Sequence, residues 1–228
     1  MKIGVLLSGC GVYDGTEIQE AVLSMLAIKE AGHEYVCISV NEDQHHVINH
    51  TNGEEMQESR NMMVESARIA RGDIQEIGLV SPADIDAVVM PGGFGAAKNF
   101  SSWAFNGPDS EIKPAVKLFL VNMVNVGKPV CALCVSPVVL AKALEGSTVS
   151  PSLTLGTSAE ASPYDIKGFH AGIEQVGAKS HETGITEVHI DRENRIVSAP
   201  CYMQDTDILA VRSNIKAAVQ ATLELVEA

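Results

Sequence analysis

The cysteine at position 134 lies where the sequence predicts a change from strand to helix. The apolar run Pro129–Leu133 precedes it, and Ser136 and Pro137 follow as residues typical of a helix start. A residue in such a sharp turn is presented at the edge of a sheet, and the helix N-terminus favours a thiolate over a thiol. We therefore expect Cys134 to be a reactive thiol; a buried structural thiol is the common alternative for a free cysteine.

A second cysteine, Cys131, lies inside the predicted strand, so we interpret it as a core residue. With Cys134 it makes a Cys-x-x-Cys spacing, which indicates redox chemistry when the first cysteine begins a helix. Here the helix begins after the second cysteine. The spacing therefore argues against a thioredoxin-like site.

Two further segments carry groups that a thiol site needs. Pro91–Gly95 follows the apolar run Ile85–Met90, and its glycines let backbone N–H groups approach a ligand, as in an oxyanion hole. Glu20 falls early on the first predicted helix, where it can face the same end of the sheet and exchange a proton with a thiol. Glu17, one turn earlier, competes for that role. An ordinary turn and surface glutamates are the simpler interpretations.

The segment Ser8–Gly15 follows the first predicted strand and contains Gly9-x-Gly11, a pattern also found where dinucleotides bind. Its spacing to the next glycine is one residue longer than in the dinucleotide fingerprint. Acidic residues at positions 14, 17 and 20 would also repel a pyrophosphate. We therefore expect no dinucleotide cofactor.

The histidines do not form a convincing set of metal ligands. Three of them share the polar loop Asp43–Gly53, where zinc binding would need an unusual geometry. No histidine adjoins Cys134 in the sequence, so a local Cys-His pair is absent, and His170, His181 and His189 stay open as distant partners. We expect no metal site.

Strands and helices alternate along the chain and must position these residues. The predicted strands are Ile3–Leu7, Tyr35–Val40, Ile74–Ile77, Ile85–Met90 and Pro129–Leu133, followed by a hairpin of Glu187–Ile190 and Arg195–Ala199. The first predicted helix follows Thr16, which we expect to be its N-cap. The other predicted helices cover Glu58–Arg71, Ile112–Val126, Pro137–Leu144 and Asp207–Val226. The stretch Gly146–Gly168 is expected to be irregular. This alternation predicts an α/β fold with a mostly parallel sheet and helices on both faces. In such sheets ligands bind beyond the carboxyl ends of the strands.

Composition restricts the partners. The 228 residues fit one α/β domain, and the 46% hydrophobic content supplies a large core. A formal net charge of −13 argues against nucleic acid and anionic membranes, because the excess of basic residues that they require is missing. Small-molecule substrates are therefore the expected partners.

The five cysteines are an odd number, and no secretory signal or long apolar stretch is recognisable. Free thiols are typical of a reducing compartment. We therefore predict a cytoplasmic protein without a disulfide framework.

Several stretches resemble the PfpI-like superfamily of the class I glutamine-amidotransferase-like fold. They resemble ElbB-type proteins more closely, the glyoxalase or isoprenoid-biosynthesis-associated group. The order of the parts is the same: a strand, a helix with a glutamate, a Pro-Gly-Gly turn and a cysteine turn. The similar stretches, which span nearly the whole chain, are Ser8–Gly15, Val47–His50, Glu58–Asn61, Pro91–Asn99, the turn at Cys134 and Ala199–Met203.

The resemblance implies a flavodoxin-like three-layer α/β sandwich, a single domain over residues 1–228, a homodimer and no cofactor. It assigns the nucleophile to Cys134, the acid/base to Glu20 and the oxyanion-binding amides to Gly93 and Val135. Two further residues are expected to border the same site, Gly92 in the glycine turn and Cys10 in the loop after the first strand. Pairing of Cys10 with Cys134 is an open alternative.

One departure from the superfamily pattern bears on the reaction. Many relatives carry a histidine directly after the nucleophile, whereas this chain has Val135. Amide hydrolysis needs a base for the leaving group, so protease, amidase and glutaminase activities are disfavoured. The resemblance then implies a glyoxalase-type lyase that converts glyoxal to glycolate through a Cys134 hemithioacetal. A cysteine-based redox or stress sensor and a deglycase or hydrolase are the alternatives.

Overall fold

The computed structural model describes residues 1–228 and contains nine strands and seven α-helices. The strands are β1 (Lys2–Leu6), β2 (Glu34–Ser39), β3 (Ile74–Glu76), β4 (Ala87–Met90), β5 (Val130–Leu133), β6 (Ser152–Leu153), β7 (Lys179–Ser180), β8 (His189–Asp191) and β9 (Ile196–Ala199). The helices are α1 (Ile18–Glu30), α2 (Met62–Ile69), α3 (Trp103–Asn106), α4 (Pro114–Asn125), α5 (Pro137–Leu144), α6 (Ile166–Gln175) and α7 (Ile208–Glu227). None of the helices is both long and apolar enough to cross a membrane.

Seven strands form one sheet in the order β3-β2-β1-β4-β5-β9-β8, and β6 and β7 form a separate pair. Every neighbouring pair in the large sheet is parallel except β8 and β9, which form the predicted antiparallel hairpin. The prediction of a flavodoxin-like α/β fold with a mostly parallel sheet is therefore confirmed. The chain reverses direction across the sheet between β1 and β4, which is where ligands bind in such folds.

The centre of the sheet is made of continuously apolar strands. Every residue of β4, β5 and β9 is buried, as expected for parallel strands covered on both faces. Because aromatic residues make up only 4% of the chain, valine, isoleucine, leucine and alanine fill most of this core. The densely packed strands give the turns at their carboxyl ends a rigid base.

Three helix starts differ from the prediction, and one of them is that of α4, which begins at Pro114 rather than at Ile112. Glu17, not Thr16, caps α1, because its carboxylate accepts a hydrogen bond from the Glu20 N–H; the Thr16 hydroxyl instead accepts one from Ser8 N–H. The second helix begins at Met62 rather than at Glu58. The residues before it are extended, because they pair with the loop that follows β2.

Helix α6 lies partly in the stretch predicted to be irregular and was not predicted. Gly168 and Gly172 lower its helix propensity, so the sequence signal is weak. Packing outweighs this cost: a Cβ atom at Gly172 would lie 3.0 Å from Cζ2 of Trp103. The close approach of this helix brings its aromatic residue Phe169 towards the central sheet.

The loop after β1 and the turn after β4 are locked together by backbone contacts. Gly95 N–H donates to Gly15 O over 2.9 Å, and Phe94 N–H donates to Val12 O over 2.8 Å. A Cβ atom at Gly95 would lie only 2.4 Å from the Gly15 Cα, which leaves no room for any side chain. The glycines are therefore needed for the two segments to meet.

We expect Gly95→Ala to lower the free energy of unfolding by more than Gly53→Ala. At Gly53 there is open space and φ is +77°, so an alanine there costs only the strain of the left-handed region, about 1 kcal/mol. At Gly95 the backbone itself must move. Urea unfolding of both variants measures the difference, and equal losses would show that the two loops are not locked in this way.

Candidate functional site

Cys134 follows β5 in a strained turn. Its φ is +55°, in the left-handed region that non-glycine residues seldom adopt. Its N–H donates to Ala199 O at the end of β9, and the Ser136 hydroxyl donates to Pro91 O over 2.7 Å. The neighbouring strand and the glycine turn thus hold the backbone in this conformation, as predicted for a nucleophile at a sharp turn.

Glu20 lies on the first turn of α1 and is completely buried. Its Oε2 accepts a hydrogen bond from Gly92 N–H over 2.7 Å and its Oε1 accepts one from Tyr202 N–H over 3.4 Å, while the Cys134 thiol lies close enough to lower the pKa of the carboxyl group. A Cβ atom at Gly92 would lie 2.9 Å from both Cys134 Sγ and Glu20 Oε2. Only glycine there lets the acid and the thiol meet.

The structure places the two predicted amides at the thiol. The backbone N–H groups of Gly93 and Val135 both donate towards the Cys134 sulfur. Four of the residues predicted from the sequence, from three separate strand ends, thus meet at one point: Cys134, Glu20, Gly93 and Val135. Gly92 belongs to the site through its N–H on Glu20 and does not line the cavity.

Burial sets the protonation of this pair. It raises the pKa of Glu20 to about 8, assisted by the nearby charge of Glu17. Burial also raises the pKa of Cys134 well above its usual value, assisted by Glu20 and opposed by the amides of Gly93 and Val135. The expectation that the helix N-terminus lowers this pKa is not met, because loss of solvent outweighs the short helix α5.

The thiol faces a small and mostly apolar cavity of about 30 Å³. Its lining residues are Val12, Glu17, Gly93, Phe94, Cys134, Val135, Tyr164, Phe169, Tyr202 and Met203. A wider vestibule of about 400 Å³ shares Val12, Glu17, Tyr164 and Tyr202 with the cavity. The inner space suits a molecule of a few non-hydrogen atoms.

Several lining residues were missed by sequence reasoning. Tyr202 and Met203 follow β9, whose carboxyl end lies beside that of β5. Knowledge of this strand order would have placed both residues next to Cys134. Tyr164 and Phe169 come from the stretch around the unpredicted helix α6, and no motif marked them. Burial raises the pKa of the Tyr164 hydroxyl to about 12.

The structure does not bring Cys10 into the cavity. Its side chain is partly exposed beside α2, where the charges of Glu65 and Arg68 act on it and burial raises its pKa. All five cysteines are free thiols, so a Cys10–Cys134 disulfide is not present.

No histidine lines the cavity. His170, the histidine of α6, is buried and contacts Gly156 O through Nε2 at 3.0 Å. No group of three or more histidine, cysteine, aspartate or glutamate side chains is arranged to hold a metal ion. The polar side chains in the cavity wall are the thiol of Cys134, the carboxyl group of Glu17 and the hydroxyls of Tyr164 and Tyr202.

Comparison with known proteins shows close relatives over nearly the whole chain. The "ES1 protein homolog, mitochondrial" of Rattus norvegicus is 39% identical over 98% of this chain and 84% of its own length. The human "Glutamine amidotransferase-like class 1 domain-containing protein 3, mitochondrial" is also 39% identical, over 98% of this chain and 83% of its own length.

These relatives contradict the prediction of a cytoplasmic protein, because both are mitochondrial by name. Free cysteines and the absence of a recognisable secretory signal indicate only a reducing compartment. They do not distinguish one such compartment from another, so the cytoplasmic prediction was wrong.

A solved structure is similar to this chain in both sequence and fold. The isoprenoid biosynthesis protein with an amidotransferase-like domain from Ehrlichia chaffeensis is 32% identical, with a TM-score of 0.89 over 99% of both chains. The model of the DJ-1/PfpI family matches residues 10–151, which include most of the loop after β1, Glu20, the glycine turn and Cys134. By family match, by whole-length relatives and by fold, this chain belongs to the DJ-1/PfpI family.

Proposed function

We propose that the protein is a cofactor-independent glyoxalase-type lyase of the ElbB type, which converts glyoxal and similar small 2-oxoaldehydes to hydroxy acids. The observation that carries this proposal is the buried Cys134–Glu20 pair, placed against a small cavity without histidine. The family includes enzymes with cysteine nucleophiles, which supports a nucleophilic role for Cys134.

The reaction begins when sulfur attacks one aldehyde carbon of glyoxal. The thiol proton passes to the Glu20 carboxylate as the S–C bond forms, and the carbonyl oxygen becomes an oxyanion near the N–H groups of Gly93 and Val135. Return of the proton to this oxygen gives a hemithioacetal.

Proton transfer then moves the hydrogen of the first carbon to the second. Loss of the C–H proton, with a proton taken up by the oxygen of the second carbon, gives an enediol. Protonation of the second carbon, with loss of the hydroxyl proton on the sulfur-bearing carbon, gives a thioester of glycolate. Water hydrolyses the thioester and restores the thiol. One carbon is oxidised and the other reduced, so the sequence consumes glyoxal and water and needs no external oxidant, reductant or metal. The family resemblance assigns the acid/base of this proton transfer between the two carbons to Glu20.

The singly protonated pair is the reactive form in this scheme. Below about pH 8 both Glu20 and Cys134 hold a proton, and the first proton leaves near pH 8. The remaining proton is then shared between carboxyl and thiol, and the carboxylate can accept it as sulfur attacks. The site is thus suited to a reactive carbonyl, which needs no strongly basic nucleophile and no protonation of a leaving amine.

The vestibule favours a second candidate, deglycase activity on aldehyde adducts. Its volume of about 400 Å³ could hold the amine part of an adduct while the carbonyl end enters the cavity. Turnover on glycated amines that exceeds turnover on free glyoxal would support it. A redox sensor is favoured less, because sensor cysteines are exposed and of low pKa, whereas Cys134 is only 6% exposed.

Cys134→Ala should reduce glyoxal turnover by about 10³-fold or more, because the nucleophile is lost. Cys10→Ser is the matched control, since that thiol lies outside the cavity, and it should keep nearly full activity. Glycolate formation, followed by chromatography, measures both. Undiminished glycolate formation by Cys134→Ala would refute the mechanism.

Glu20→Gln should flatten the pH dependence of stability between about pH 4.5 and 8. The pKa of Glu20 rises from 4.5 to about 8, so in this window the folded protein holds a proton that the unfolded chain releases. The free energy of unfolding of the wild type therefore falls as pH rises through the window. The exposed Glu193→Gln is the control and should leave the slope unchanged.

Urea unfolding at a series of pH values measures these slopes. Comparing slopes removes any constant destabilisation caused by the amide. A Glu20→Gln protein with the wild-type slope would show that Glu20 is already ionised at low pH.

A further inference from the structure

Two carboxyl groups lie near Cys134, and only one of them faces the cavity. Glu20 has no exposed surface, both of its oxygens accept backbone N–H groups, and it is absent from the cavity wall. Glu17 is part of the wall of both the cavity and the vestibule. A substrate bound at the thiol can therefore contact Glu17, whereas Glu20 lies behind the sulfur.

The position of Glu17 is fixed by the backbone. Its N–H donates to Gly92 O over 2.9 Å, and its Oε2 accepts the Glu20 N–H over 2.6 Å as the N-cap of α1. A Cβ atom at Gly93 would lie 2.4 Å from Glu17 N, so the two residues are in close contact. Since the Gly93 N–H points at the Cys134 sulfur, Glu17 is held beside the place where the oxyanion forms.

The other polar groups of the cavity are poor proton acceptors. The pKa of Tyr164 is about 12, raised by burial, so its hydroxyl keeps its proton at neutral pH. The Tyr202 hydroxyl already donates to the side chain of Gln19 in the vestibule. With no histidine in the wall, Glu17 is the remaining base that a bound substrate can reach.

We propose that Glu17 is the catalytic acid/base that moves the proton between the two substrate carbons, while Glu20 serves the thiol. The inference rests on the proposed glyoxalase function. In the hemithioacetal, the Glu17 carboxylate takes the C–H proton of the sulfur-bearing carbon, and the electron pair of that bond forms the C=C bond of the enediol. The same carboxyl group then returns the proton to the second carbon, and the thioester carbonyl forms as the hydroxyl proton of the sulfur-bearing carbon passes to the oxygen of the second carbon.

Burial supports this role by raising the pKa of Glu17 above its usual value. A carboxylate that is more basic than usual is better matched to removing a carbon-bound proton. Its place at the boundary between cavity and vestibule also lets water reach the thioester from the same side.

Glu17→Gln tests the proposal, because the amide oxygen can still accept the Glu20 N–H and keep the helix cap. Glycolate formation should fall by about 10² to 10⁴-fold, the usual contribution of a general acid/base. The rate at which iodoacetamide alkylates Cys134 should stay within a few-fold of the wild-type rate, since the thiol pair remains.

Glu76→Gln is the matched control, because Glu76 also caps a helical turn, through Gly78 N–H, but is the last residue of the edge strand β3, away from the cavity. It should keep wild-type turnover. Glu17→Asp retains both the cap and a carboxylate, so it should form glycolate faster than Glu17→Gln.

The outcomes separate the two proposals. Wild-type turnover by Glu17→Gln, an aspartate variant no faster than the glutamine variant, or equal losses of turnover and alkylation would each overturn the role of Glu17. A wild-type protein whose Cys134 is alkylated but which forms no glycolate would overturn the proposed function instead.

Discussion

The hydrogen bonds of the buried Glu20 carboxyl group join the parts of the molecule on which the site depends. Gly92 N–H brings the end of β4 to the carboxyl group, Tyr202 N–H brings the end of β9, and the thiol of Cys134, at the end of β5, lies beside it. An acid at the start of α1 thus contacts three strand ends. Because the carboxyl group is completely buried beside the thiol, the protonation states of the two groups are coupled.

This constraint explains several choices in the surrounding sequence. Glycine is needed at position 92 because any side chain would separate the acid from the sulfur, and at positions 93 and 95 because the neighbouring loop lies in backbone contact. Valine at position 135 supplies its N–H to the sulfur and contributes no base. The result is a nucleophile supported by one shared proton, with a second carboxylate, Glu17, at the cavity wall.

The sequence was sufficient to predict the parts whose signals are local. Apolar runs that end in glycine turns located β1 and β4, and the run before Cys134 located β5. The positions of Cys134, Glu20 and Gly93 followed from the strand ends and the family resemblance. Cys10 was misplaced because a loop position does not determine which way a side chain points. Tyr164 and Phe169 were missed because α6, which contains or adjoins them, is stabilised by tertiary packing. The raised pKa of Cys134 was missed because burial is a property of the whole fold.

Infrared difference spectroscopy of wild type against Glu20→Gln tests the central claim, that a neutral carboxyl group is buried beside the thiol. At pH 7 we expect the carbonyl-stretch band of a protonated carboxyl group in the wild type, absent from the variant and lost on titration with a midpoint near pH 8. A wild type without this band at pH 7, or a band that disappears near the ordinary glutamate pKa of 4.5, would contradict it.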